Sequence, residues 1–386
     1  MKKIYLFLIT LIFFAPATQA QAAPPKYGQA CKKIGTEQTY KHITYKCLKI
    51  NKKLIWTKKQ FVPFVTNQTN IFVPKTETLT TVSIIYPKIP RSFEDLNKNL
   101  EGVVYGSWLS ALEKIKKSDV HLNNVLLFIG ENTKTGHKDP KFVYGQVSKL
   151  YSDFPQVQNL YSIHLSAKDI NWAQSVYDKY QDGYSWNGPT VAVDTCPTVS
   201  CEMGNAYRTK NGDGILVIGE SENWNNTGMP AYSTSSGEVY AHEYTHTVQM
   251  LNSNNQYWLA PKWLFEGQAH WSQKTSIYSN YDEYLKHRKV DLLNLYNEKN
   301  KYTEEYIYNY LDSNSLDSFP RWDAYSIGFM VNEILSCLNG PNGVMNLFKS
   351  IGQGITFEEA FNKEFNISWS KALPYISKSI YQELSS

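Results

Sequence analysis

In the run Glu238-Val239-Tyr240-Ala241-His242-Glu243-Tyr244-Thr245-His246-Thr247-Val248-Gln249, two histidines stand four residues apart, with a glutamate directly after the first. On a helix that spacing brings His242 and His246 onto one face. Two imidazoles so placed reach one zinc ion at about 2.0–2.1 Å. Glu243 is rotated from His242 by roughly 100°, so it flanks the metal instead of binding it and can take a proton from a water held there. Twenty residues after His246 comes Glu266, set among apolar neighbours in the run W-L-F-E-G-Q-A-H-W (263–271). It can supply a third ligand from a second helix. That leaves the fourth position open, as in zinc sites that do catalysis. Ser235 and Glu238 have the S-x-x-E spacing of a capping box, which predicts the start of the first helix.

The HExxH…E set resembles that of the gluzincin metallopeptidases, the peptidase MA group of thermolysin-like enzymes and M1-type aminopeptidases. The W-x-x-E-G-x-A form around Glu266 is similar to the third-ligand helix of that group. The resemblance implies that His242, His246 and Glu266 bind Zn2+ and that Glu243 is the general base. Met203-Gly204-Asn205-Ala206-Tyr207 precedes Gly212-Asp213-Gly214 and an apolar strand at 215–218. This is similar to the edge strand on which such enzymes lay their substrate by β-pairing, which implies substrate-binding roles for Asn205, Ala206 and Tyr207. M1-type aminopeptidases carry a glutamate where Gly204 stands, which argues against that branch. Tyr325-Ser326-Ile327-Gly328 is similar to the Y-x-x-G setting of a phenol that donates to the developing oxyanion, so Tyr325 is a second catalytic candidate. His270 stands where thermolysin-like enzymes carry an aspartate that orients a zinc-bound histidine, and the same orienting work is expected of it.

These residues need elements to position them. Leu96, Leu100, Val103, Val104, Trp108, Leu112 and Ile115 share one face of a helix over 92–117. Residues 125–129 read as a buried strand, 166–180 as a helix with Ser166 at its N-cap, and 190–193 and 215–218 as further strands. From about 235 onward the pattern is helical, with a second capping box at Thr356 and Glu359. A mixed sheet followed by a run of helices is an α+β arrangement. The resemblance sharpens it to a gluzincin-like mixed sheet with an active-site helix and a C-terminal helical lobe.

Of 386 residues 42% are hydrophobic and 19% charged, which excludes a mostly disordered chain. The net charge of +4 hides two unlike parts. The first sixty residues hold twelve lysines and one acid, Glu37, while the remainder holds 27 basic and 34 acidic residues. Lys2-Lys3, the apolar run 4–15 and Ala20-Gln21-Ala22 read as a secretory signal peptide over 1–22, removed after Ala22. No cysteine directly follows the apolar run, and no later run is long enough to span a membrane, so no transmembrane segment is expected in the mature chain. The expected location is secreted, extracellular or on the cell surface.

Export permits disulfides. Cys31 and Cys47 can close a loop, Cys196 and Cys201 can staple a turn, and Cys337 is left as a buried free thiol. Residues 27–60 read as a small basic β module around the first pair. Its C…G…Y-x-C…W pattern resembles the short Cys-flanked modules of exported actinobacterial proteins. Residues 61–92 read as a proline-containing linker or edge segment, and 93–386 as the metallopeptidase domain. The expected partners are a peptide or protein substrate and, through the basic module, an anionic cell-wall polymer, with no nucleic acid. The competing reading is a cell-surface or cell-wall binding protein on a catalytically degenerate peptidase scaffold. The presence of all three ligands and the base counts against it.

Overall fold

The structure is a computed structural model that describes residues 29–34, 36–40, 43–50, 53–58, 87–184, 190–197, 201, 204–220, 235–313 and 319–386. The expected signal peptide and residues 61–86 of the expected linker lie outside the described residues, as does Met203. The described residues fall into two compact units, one before residue 63 and one after it.

The first unit is an antiparallel meander of β1 (Glu37–Tyr40), β2 (Ile43–Ile50) and β3 (Lys53–Lys58). The Cys31–Cys47 disulfide ties the segment ahead of β1 to the central strand, and Cys47 lies opposite Trp56. Cys31 N–H also donates to Leu54 O at 3.0 Å, so backbone pairing and the covalent bond support each other.

The second unit is mixed α+β, as expected. Its sheet has the order β4 (Asn124–Ile129), β5 (Asn159–Leu165), β7 (Gly214–Gly219) and β6 (Gly204–Arg208). The first three strands are parallel, and β6 runs antiparallel to β7 at the edge. The helices of the first half are α1 (Leu100–Lys117), α2 (Pro140–Leu150), α3 (Ile170–Tyr180) and α4 (Val191–Thr195). After the sheet come α5 (Glu238–Asn252), α6 (Lys262–Ile277), α7 (Tyr281–Asp291), α8 (Leu293–Asn297), α9 (Glu304–Asp312), α10 (Asp323–Gly352), α11 (Phe357–Phe365) and α12 (Trp369–Ser385). The capping box at Thr356 and Glu359 forms as expected and starts α11.

Three expectations give way. The helix expected over 92–117 breaks at Asn99, whose backbone at φ −141° and ψ 46° leaves the helical region, so a 3-10 helix over Phe93–Lys98 precedes α1. Residues 190–193 form the start of a helix, α4, not a strand. A four-residue apolar run has no period of its own to choose between the two. Here the turn closes locally, with Asp194 N–H donating to Thr190 O at 2.8 Å, while the Gln174 carboxamide takes up the Ala192 N–H at 3.1 Å. And β4 is an edge strand instead of a buried one, leaving Leu126 39% and Ile129 45% exposed. Nothing local distinguishes an edge from a centre. Only the strand order does.

The core that positions the site lies between α5, α6 and α10. α6 packs against both of the others. Trp263 anchors it, stacked on Trp369 at 5.1 Å between ring centres and set edge-on to Phe357. Glycines let α6 and α10 approach closely. A Cβ on Gly267 would come within 2.2 Å of the Gly328 carbonyl carbon, and one on Gly328 within 2.3 Å of Trp263 O. Both obstacles are backbone and cannot turn aside. Gly267→Ala is therefore expected to destabilise the fold by about 1–3 kcal/mol or more, read as a lower midpoint in urea unfolding followed by far-UV circular dichroism.

Candidate metal centre

Most residues of α5 are buried, although it carries six polar or charged side chains between His242 and Gln249. Two satisfy themselves within the helix: Thr245 Oγ1 donates to Ala241 O and Thr247 Oγ1 to Tyr244 O, each at 2.8 Å. The rest must find partners elsewhere, because an unpaired buried polar group costs free energy. Glu238, His242, His246 and Gln249 follow one another at intervals of four, four and three residues, which makes a single stripe along the helix. Glu266, His270 and Gln273 make a matching stripe on α6, and the two stripes face each other across the α5–α6 contact.

At the centre of that contact, His242 Nε2 and His246 Nε2 lie 3.0 Å apart, and Glu266 Oε2 lies 3.4 Å from each. Among the described residues these three form a group able to hold a metal ion. A tetrahedral ion with bonds of about 2.0–2.1 Å places neighbouring ligand atoms about 3.3–3.4 Å apart, which is close to this spacing.

The chemistry of the donor set fits as well. His246 Nδ1 faces Gln249 Oε1 at 2.7 Å and His242 Nδ1 faces Gln273 Oε1 at 3.1 Å. The Gln249 amide is fixed in that sense because its Nε2 donates to Phe265 O and Gln268 Oε1, both at 2.9 Å. Carbonyl oxygens accept, so each Nδ1 carries the hydrogen and each neutral imidazole turns a bare Nε2 inward. Two lone pairs and a carboxylate then converge with no donor among them, and Glu266 Oε2 is a buried atom without a hydrogen-bond partner. Such a cluster calls for a positive charge at its centre. The titration directions show the same pull toward positive charge at His246 and Glu266, while burial keeps His242 neutral. Burial pushes His242 down to about 4, whereas on His246 the nearby Glu266 overcomes burial and raises the pKa. Glu266 falls well below the usual carboxylate range because the two imidazoles outweigh the effect of burial.

Glu243 sits beside this cluster and is not part of it. Burial lifts it to about 7, while the charges of His246 and Arg321 pull it back down. The edge strand passes directly over it: a Cβ on Gly204 would lie 2.4 Å from Glu243 Cγ. At that position any larger residue would displace the Glu243 side chain.

The other residues singled out from the sequence divide. Tyr325, in the first turn of α10, stacks on the His242 ring at 5.7 Å, and Arg321 hydrogen-bonds it. Burial raises the phenol pKa strongly, so it remains a donor. His270 is close but does not orient a ligand histidine. It stands edge-on to Tyr325, and its Nε2 faces Asp291 Oδ2 at 2.9 Å. The bond expected from His270 is made by Gln273. Asn205, Ala206 and Tyr207 lie on β6, but their side chains are engaged within the fold. Asn205 Nδ2 donates to Thr195 Oγ1 at 2.8 Å, Ala206 packs on the core, and Tyr207 is set edge-on to Tyr177. A peptide laid here would meet the strand's backbone. The Cys196–Cys201 disulfide lies just ahead of β6, and Cys337 is a free thiol whose pKa burial pushes up to about 12.

The Ser235–Glu238 capping box does not form. Gly237, at φ 88°, is the N-cap of α5, and the Glu238 carboxylate accepts from Lys274 Nζ at 2.5 Å and Tyr278 OH at 2.6 Å. With those partners the side chain is turned into the interior and cannot fold back to its own helix start. Sequence reasoning also missed Gln249, Gln273 and Arg321. The first two could have been found by extending the ligand stripes, three residues past His246 and seven past Glu266. Arg321 carries no such signal.

No known protein family matches the chain, and neither does any curated protein or solved structure. Among the described residues no helix is long and apolar enough to cross a membrane.

Proposed function

We propose that this chain is an exported zinc-dependent metallopeptidase of the gluzincin type that hydrolyses peptide bonds. The observation that carries the reading is the convergence of two bare imidazole nitrogens and one carboxylate oxygen beside a separate buried carboxylate, Glu243. His242, His246 and Glu266 would hold the ion. A zinc ion there would supply Lewis acidity toward a water and toward the scissile carbonyl.

The chain's own groups do the rest. Glu243 accepts the proton of the attacking water and returns it to the leaving amine. The Tyr325 phenol donates to the oxygen that gains charge, and Arg321 holds the phenol in place. β6, at the edge of the sheet among the described strands, offers backbone groups for pairing with an extended peptide. The basic Lys2-Lys3 start, the apolar run after it and two disulfides support export.

The test is metal analysis together with casein and peptide cleavage on the purified chain. One zinc per chain is expected, with cleavage abolished by a chelator and restored by zinc. Folded protein that holds zinc and cleaves no peptide would refute the assignment. Tyr325→Phe is expected to lower kcat by about 10²–10³-fold with little change in KM, as for loss of one oxyanion donor. An equal loss spread into KM would place the phenol in ground-state binding instead.

A further inference from the structure

Glu238 opens α5, is fully buried, and has no part in the chemistry above. Its Oε2 accepts from Lys274 Nζ at 2.5 Å and from Gln273 Nε2 at 3.4 Å, and its Oε1 from Tyr278 OH at 2.6 Å. Lys274 also pairs with Asp291 at 2.8 Å. Burial opposes the charge on Lys274, but Asp291 and Glu238 together raise its pKa, so it stays a cation and a donor. The Glu238 carboxyl group is thus held by Lys274 on α6 and by Tyr278 just past its end, and the Oε2 that accepts from the Lys274 ammonium is the oxygen that faces Gln273.

The consequence falls on Gln273. A carboxamide has one donating end and one accepting end. Facing a carboxylate, Gln273 must turn its NH2 toward Glu238, which leaves its carbonyl to face His242 Nδ1. We infer that Glu238 is a positioning residue that sets, through Gln273, the tautomer of His242, with hydrogen on Nδ1 and a bare Nε2. The inference rests on the metal-centre reading for its purpose, since only a bare Nε2 can ligate. With Gln273 turned over, its NH2 would donate to Nδ1 and the ring hydrogen would move to Nε2, pointing an N–H at the metal position. His246 is insulated from this, because Gln249 is held by Phe265 O and Gln268 and not by Glu238.

The test uses the full mature chain. Histidine tautomers are read by long-range 1H–15N NMR on zinc-free protein, and zinc affinity by competition with a chromophoric chelator. In wild type, His242 is expected as the Nδ1–H form. In Glu238→Leu it should shift toward the Nε2–H form with His246 unchanged, and zinc should bind about 10–100-fold more weakly. Glu238→Gln keeps an oxygen facing Gln273 and should restore both readings. Should Glu238→Leu not fold, Gln273→Met carries the test: it removes the acceptor at His242 and should weaken zinc binding by a similar factor. An unchanged tautomer in Glu238→Leu, or unchanged zinc affinity in a folded Gln273→Met, overturns the inference. A wild-type chain that binds no zinc overturns the metal reading instead, and the tautomers of the zinc-free protein still decide the role of Glu238.

Discussion

Glu243→Gln should lower kcat for peptide hydrolysis by about 10²–10⁴-fold, the range for loss of a positioned general base, while zinc content stays at one per chain. The change is isosteric and removes only the ability to accept a proton. Zinc should remain because Glu243 is not one of the three converging groups. His242, His246 and Glu266 meet at 3.0–3.4 Å, whereas Glu243 lies to the side under Gly204. The residue is 8% exposed, so it stays largely desolvated without being sealed from solvent. Steady-state kinetics on a chromogenic peptide, together with zinc analysis of the same preparation, check this. A folded, zinc-loaded Glu243→Gln chain that turns over like wild type would remove Glu243 from the mechanism.

The largest effect on stability is expected at Arg288. This residue of α7 grips Glu333 of α10 through three contacts, Nε at 2.7 and 3.0 Å and Nη2 at 2.7 Å, and reaches Glu383 of α12 at 2.6 Å. Tyr284 completes the cluster by donating to Glu333 at 2.6 Å. Removing one partner of a buried pair leaves the other charge stranded, at a cost of about 3–5 kcal/mol. Arg288→Met should therefore lose that much in urea unfolding, and the double change Arg288→Met with Glu333→Met should recover a large part of it. A single change that costs no more than an exposed ion pair, under about 1 kcal/mol, would contradict the assignment. The effect would reach the proposed site, because Tyr325 stands at the start of the helix that carries Glu333.

What the sequence made legible follows from how local each signal is. His242, Glu243 and His246 lie within five residues, so the helical period alone sets their relation, and Glu266 stood out as a carboxylate among apolar neighbours. The helical second half and the α+β class followed from long periodic segments. Most misreadings concern side chains or strands whose role is decided at a distance. Glu238 looked like a cap because serine and glutamate had the right spacing, but its partners Lys274 and Tyr278 lie in and just past another helix. His270 looked like the group that orients a ligand histidine, but Asp291 holds its nitrogen and Gln273 takes the role. Residues 190–193 and the edge position of β4 depended on Gln174 and on strand order, neither of which is written in the segments themselves.

In the proposed function, two helices bring His242, His246 and Glu266 together as the ligands of one zinc ion. Diffraction from crystals grown with zinc, with anomalous data collected on both sides of the zinc edge, tests it most directly. A single strong anomalous peak is expected about 2.0–2.1 Å from His242 Nε2 and His246 Nε2 and about 2.0–2.2 Å from a Glu266 oxygen, with Glu243 outside bonding distance. No peak between the three side chains at saturating zinc, or a peak ligated by Glu243 in place of Glu266, would contradict it.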